Sequence, residues 1–139
     1  MAYWIKVLYE RNTYIVDLDD VGTFVCDPSN RLSFYAPGSR AKIILTKQNH
    51  LDAYEQVLNY LQQITTDALQ GYWVTIEFER NKYIVDLDRV RAFIQTPNER
   101  LMFYPDGNQS AIVIPAVADP TTYRKLIHYI EQRTGHRLD

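Results

Sequence analysis

The acidic residues that recur in clusters are the first place to look for chemistry. Asp17, Asp19 and Asp20 stand at the place in the first half of the chain that Asp86 and Asp88 occupy in the second. Neighbouring carboxylates can hold a hard cation or divide acid and base roles between them. Neither cluster is accompanied by a histidine or by a loop of oxygen ligands at metal spacing. The Asp-Leu-Asp order is therefore read as a corner whose carboxylates cap backbone N–H groups. His50, His128 and His136 fall at unrelated places and form no HxH or HxxxH pair, which argues against a metal centre. No GxSxG, GxxxxGKS/T or GxGxxG segment occurs. Ser29, Ser33, Ser39 and Ser110 have no His–acid signature beside them. The expectation is a non-enzymatic chain with no cofactor and no metal.

Basic and aromatic residues carry the remaining candidates. Arg11 and Arg80, with Arg31 and Arg100, recur at turns, where surface pairing with Glu10, Glu79 or the Asp corner is preferred over an anion site. Arg89 and Arg91 stand where the first half has Asp20 and Gly22. If they alternate on a strand they share a face and form a local basic spot. The formal net charge of −2 predicts no general attraction to nucleic acid or to an anionic membrane. The aromatics Trp4, Trp73, Phe24, Phe93, Tyr35 and Tyr104 are a candidate interaction surface. Large rings mixed with charge on a sheet face that is not the core face suggest a place of contact.

All of these residues come in pairs because the chain repeats itself. Tyr3–Thr65 aligns with Tyr72–Thr134 at a constant offset of 69 residues, without a gap. Roughly 24 of about 63 aligned pairs are identical. YWIKVLYERNTYIVDLD returns as YWVTIEFERNKYIVDLD. The expected organisation is two units, residues 1–66 and 71–139, related by a pseudo-twofold axis. A unit of that size is marginal alone, so the halves are expected to bury surface against each other.

The elements that position the candidates follow from periodicity. Tyr3, Ile5, Val7 and Tyr9 alternate with Trp4, Lys6 and Leu8, as Tyr72, Val74, Ile76 and Phe78 alternate with Trp73, Thr75 and Glu77. A period of two marks a strand with one face buried. Arg11-Asn12 and Arg80-Asn81 are read as tight hairpins in which Asn takes the positive φ. Second strands are expected at 13–18 and 82–87, and third strands at 21–26 and 90–95. Turns at Asp27-Pro28-Ser29-Asn30 and Thr96-Pro97-Asn98-Glu99 precede fourth strands at 31–35 and 100–104. Pro37-Gly38 and Asp106-Gly107 signal hairpins into fifth strands at 42–45 and 111–114. A helix follows each time. Asn49 is the expected cap of the first, and Asp119 with Pro120 opens the second. Tyr54, Val57, Leu58, Leu61 and Ile64 form one helical stripe, and Tyr123, Leu126, Ile127 and Ile130 the other. Gly135 stops the second helix. The class is α+β: two tandem repeats, each a curved antiparallel sheet of four or five strands followed by one helix.

Composition fits a soluble globular chain, with 46% hydrophobic and 23% charged residues. Cys26 is the sole cysteine, so no intramolecular disulfide forms, and its counterpart is Gln95. That favours a reduced, cytoplasmic setting. The N-terminal residues lack the pattern of a signal peptide, and no apolar run reaches bilayer length.

The segment YIVDLDRVRAFIQTPNERLMFYPDGNQSAIVIP followed by TTYRKLIHYIEQR resembles the end of bacterial pleckstrin-homology-like domains in its strand–strand–hairpin–helix order. The whole chain also resembles small tandem-repeat bacterial proteins of cyanobacterial style. Neither resemblance implies an activity. The functional expectation is a protein–protein interaction or adaptor module, self-associating as a homodimer or binding another protein. The alternative is a module that stacks a small or polymeric ligand on the aromatic face. If the interface reading holds, Trp4 and Trp73 should be covered by the other repeat or by a partner chain.

Overall fold

The computed structural model describes residues 2–66, 71–105 and 111–138. The Asp106-Gly107 turn and linker positions 67–70 lie outside the described residues. The first half contains β1 (Trp4–Tyr9), β2 (Asn12–Asp17), β3 (Thr23–Cys26), β4 (Leu32–Tyr35), β5 (Lys42–Leu45) and α1 (Leu51–Thr66). The second contains β6 (Trp73–Phe78), β7 (Asn81–Asp86), β8 (Ile94–Gln95), β9 (Arg100–Phe103), β10 (Ile112–Pro115) and α2 (Pro120–Thr134). All strand pairings are antiparallel, and the fold is α+β with a strand-rich segment before each helix.

The hairpins β1–β2 and β6–β7 are long because their alternation is clean. Ile5, Val7, Val74 and Ile76 are buried on one face, while Trp4, Lys6, Leu8, Thr75 and Glu77 face outward or stay partly covered. The turns are two-residue loops, since Tyr9 pairs with Asn12 and Phe78 with Asn81. Positive φ falls on Glu10 and Arg11 (48° and 72°) and on Glu79 and Arg80 (50° and 69°), not on the asparagines. This corrects the sequence expectation. A two-residue hairpin that matches strand twist needs a left-handed conformation at both central positions, so pairing through Asn12 and Asn81 moves that requirement onto Glu and Arg.

After β2 and β7 the chain turns through one-turn 3-10 corners at Leu18–Asp20 and Leu87–Arg89. Leu18 and Leu87 are completely buried and anchor them. The corners send the following strand away from its own hairpin. Thus β3 pairs with β7 of the other half, and the five-stranded sheet runs β5-β4-β3-β7-β6. It takes three strands from the first repeat and two from the second. β1 and β2 form a two-stranded sheet, and β10-β9-β8 a three-stranded one. The third strands are shorter than the 21–26 and 90–95 expected from sequence. The shortening is greatest in β8, whose one strand neighbour among the described residues is β9, whereas β3 has a strand on each side.

There are two cores. Phe24, Phe34, Leu32, Ile43, Leu45, Val57 and Leu61 build the first, and Ile84 of the second repeat joins it. Leu101, Phe103, Ile112, Ile114, Leu126 and Ile130 build the second, with Val25 of the first repeat packed against it. Each helix lays its apolar stripe on its own half's core. Leu58, expected in the stripe, is 38% exposed, and Tyr60 takes a core position instead. Helix α1 begins at Leu51, so His50 rather than Asn49 precedes it. His50 Nδ1 accepts from the Thr46 N–H, and Thr46 Oγ1 accepts from the Asn49 N–H. Helix α2 opens as expected: the Asp119 side chain accepts from the Thr122 N–H at 3.2 Å, Pro120 is first, and Gly135 at φ 76° ends it.

Gly71 opens the second repeat at φ 85°, and a Cβ there would stand 2.5 Å from Asp86 Oδ2. Glycine is required by both the left-handed backbone and the close approach.

Candidate functional site

The acidic corners are structural devices built twice. Asp17 Oδ1 accepts from the N–H groups of Tyr3 and Asp19 at 2.8 and 3.0 Å. Asp86 Oδ1 accepts from Tyr72 and Asp88 at 2.9 and 3.0 Å. One carboxylate thus ties the start of each repeat to its corner. Asp19 and Asp88 face the helices and accept from the hydroxyls of Tyr60 and Tyr129, the former at 2.7 Å. Burial first, and then the adjacent carboxylate, push both tyrosine hydroxyls well above their ordinary range. Sequence reasoning missed these two tyrosines. Their signal was present in the repeat, since Tyr60 and Tyr129 are aligned and identical.

Arg89 and Arg91 are not neighbours on a strand face. Arg89 is the last residue of the second 3-10 corner, and Arg91 precedes the short β8. The Arg89 guanidinium donates to the Asp19 carbonyl and sits 3.2 Å from Asp86 Oδ2, so it clasps the two corners together. Arg91 donates to the Asp88 carbonyl at 2.9 Å and is exposed.

The six aromatics do not form one surface. Phe24 is fully buried in the first core, 5.7 Å from Phe34 between ring centroids. Trp73 is half-buried and roofs it at 6.2 Å. Phe93 is half-buried, 5.6 Å from Phe103 and 6.2 Å from Tyr129. Tyr35 is half-buried with the Lys42 ammonium 6.0 Å from its ring. Tyr104 is half exposed to solvent. Trp4 is 63% exposed, so of the two expected covers, the other repeat or a partner chain, the other repeat does not supply it. Trp73 faces the core of the opposite half because β6–β7 is joined to β3. Trp4 has no such roof to make, because among the described residues β2 is joined only to β1.

What the structure brings together instead is an apolar patch on β1–β2. Trp4, Leu8 and Ile15 are each more than three-fifths exposed, and their side chains share the outer face of the hairpin. Ile94, on β8, is a further exposed large apolar residue. Concave surfaces lie elsewhere. One groove is lined by Tyr3, Asn59, Gln62, Gln63 and Thr66, and another by Cys26, Glu77, Phe78, Arg80 and Lys82 among others. Neither contains Trp4, Trp73, Phe24 or Phe93. Burial pushes the Cys26 thiol up, against the opposing charge of Lys82 and with the added effect of the Asp27 carboxylate.

Comparison with protein-family models, with curated proteins and with solved structures finds no match to this chain. No helix among the described residues is long and apolar enough to cross a membrane.

Proposed function

We propose that the chain is a non-enzymatic protein-binding module whose contact surface is the outer face of the β1–β2 hairpin. The observation that carries this reading is a difference between equivalent residues. Ile84 on β7 is 6% exposed, covered by packing on the first core, whereas Ile15 on β2 is 61% exposed. Trp73 and Trp4 differ in the same sense. A surface built to be covered in one repeat lies open in the other. Open apolar residues grouped on one strand pair, beside a strand edge that no described strand pairs with, are a surface for protein contact. The ligand-platform alternative asks for a concave aromatic site with polar groups converging on it; the patch on β1–β2 is a sheet face on which Lys6, cross-strand from Ile15, stands between Trp4 and Leu8.

The test is affinity capture from the native host with the wild-type chain and with a Trp4→Glu/Ile15→Glu chain. The reading expects at least one protein, a second copy of the chain included, to be held by the wild type and lost by the variant. The variant should retain its helical circular dichroism. Equal retention by both chains would overturn the reading.

A further inference from the structure

The β3–β7 junction specifies what should fill the open edge. Its register is Thr23 to Val85, Phe24 to Ile84, Val25 to Tyr83 and Cys26 to Lys82. Moved by the repeat offset of 69 residues, the same register sets Ala92 against Val16, Phe93 against Ile15, Ile94 against Tyr14 and Gln95 against Thr13. Among the described residues no strand pairing joins β2 to β8: β2 is laddered to β1, and β8 to β9. We propose, resting on the protein-binding reading above, that a second copy of this chain completes this second junction. β2 of each copy pairs with the 92–95 segment of the other, giving a twofold dimer with two identical junctions.

Side chains on both edges fit this exchange. In the existing junction Ile84 enters the first core and Val25 packs on the second. Their counterparts are Ile15 and Ile94, and these are 61% and 43% exposed. In the dimer, Ile15 and Trp4 of one copy roof Phe93 of the other, as Ile84 and Trp73 roof Phe24. Ile94 in return packs beside Tyr14, as Val25 packs beside Tyr83. Charge agrees as well. The Gly22 carbonyl accepts from the Asp86 N–H at 3.0 Å. Arg91 stands at the equivalent of Gly22 and Asp17 at that of Asp86, so the new junction brings the Arg91 carbonyl to the Asp17 N–H and sets a cationic residue next to an acidic one. Both open strands leave from the two corners that Arg89 clasps together. Such a surface is isologous, each patch meeting its complement on the other copy.

The experiment has two parts. Light scattering after gel filtration, at micromolar concentration, should give the wild type twice the chain mass of 16.3 kDa. Ile15→Lys and Ile94→Lys should each weaken the dimer roughly 100-fold or more, since each change falls in both junctions. Leu58→Lys, on the exposed side of α1, should leave it intact. In a Cys26→Ser background, a Tyr14→Cys chain mixed with an Ile94→Cys chain should oxidise to a cross-linked pair containing one of each. A wild-type chain of monomer mass overturns the dimer, as does an intramolecular disulfide in a chain carrying both cysteines. If the wild type is monomeric yet Trp4→Glu/Ile15→Glu still loses a captured host protein, the dimer falls while the protein-binding reading stands. If capture is also unchanged, both fall.

Discussion

The ring centroid of Trp73 lies 6.2 Å from that of Phe24, so an aromatic side chain of the second repeat roofs the core of the first. Ile84, cross-strand from Phe24, joins the same core. The halves are therefore not two packed beads. One strand pair is shared between them, and the first core is incomplete without residues from the second repeat.

Trp73 and Trp4 should respond differently to truncation. Trp73→Ala removes part of the roof over Phe24 and should cost about 2–3 kcal/mol of stability. Trp4→Ala alters an exposed side chain and should change the stability of the isolated chain by no more than about 0.5 kcal/mol. Urea melts at low protein concentration, where association does not contribute, check this. Equal losses at both positions would show that Trp4 is covered in solution.

The two corner carboxylates should differ as well. Asp86 is 4% exposed, caps two N–H groups and faces Arg89, whereas Asp17 is half-buried and caps two N–H groups without an arginine. Asp86→Ala should cost about 3 kcal/mol, because it strands buried donors and a guanidinium. Asp17→Ala should cost about 1–2 kcal/mol. Thermal melts of the two variants rank them; the reverse order would refute this account of the corner.

The hairpin tips carry strain that can be relieved. At these two tips Glu10, Arg11, Glu79 and Arg80 sit at positive φ. Left-handed backbone costs such residues about 1–2 kcal/mol each. Replacing Glu10-Arg11 by Asn-Gly should stabilise the chain by about 1 kcal/mol, seen as a melting temperature raised by a few degrees, and the same change at Glu79-Arg80 should add to it. A lower melting temperature would mean that the Glu and Arg side chains contribute contacts that outweigh the strain.

Stability should fall in alkali through Tyr60 and Tyr129. Burial and the carboxylates of Asp19 and Asp88 raise both hydroxyls above their ordinary value of 10.0. In the unfolded chain they ionise near that value, while in the folded chain they stay protonated. Above it the folded state holds more protons than the unfolded state. The stability these groups contribute is thus complete below about pH 10 and declines as the pH rises beyond it. Melting temperatures between about pH 9 and about pH 11.5 should drop more steeply for the wild type than for Tyr60→Phe/Tyr129→Phe. Parallel curves would remove the two hydroxyls from the account.

Much of this architecture was legible in the residues alone. The gapless repeat, the period-two strands, the helical stripes and the Asp119–Gly135 helix limits are local patterns, and local patterns survive whatever the chain does at longer range. The capping role of Asp17 and Asp86 was readable for the same reason, since the bonds to Asp19 and Asp88 span two residues. The destination of each strand was not. Alternation says that Phe24 and Ile15 each have a face to bury, but it is silent on which strand lies alongside. Only the 3-10 corner, by turning β3 away from β2 and onto β7, decided that Phe24 would be roofed by Trp73. The same repeat pattern is satisfied whether a strand pairs within its unit, across units or between copies, because hydrogen bonds and apolar contacts of the same kind form in each case. Tertiary structure therefore separated residues that the sequence made equivalent: Ile84 inside and Ile15 outside, Trp73 on a core and Trp4 in solvent.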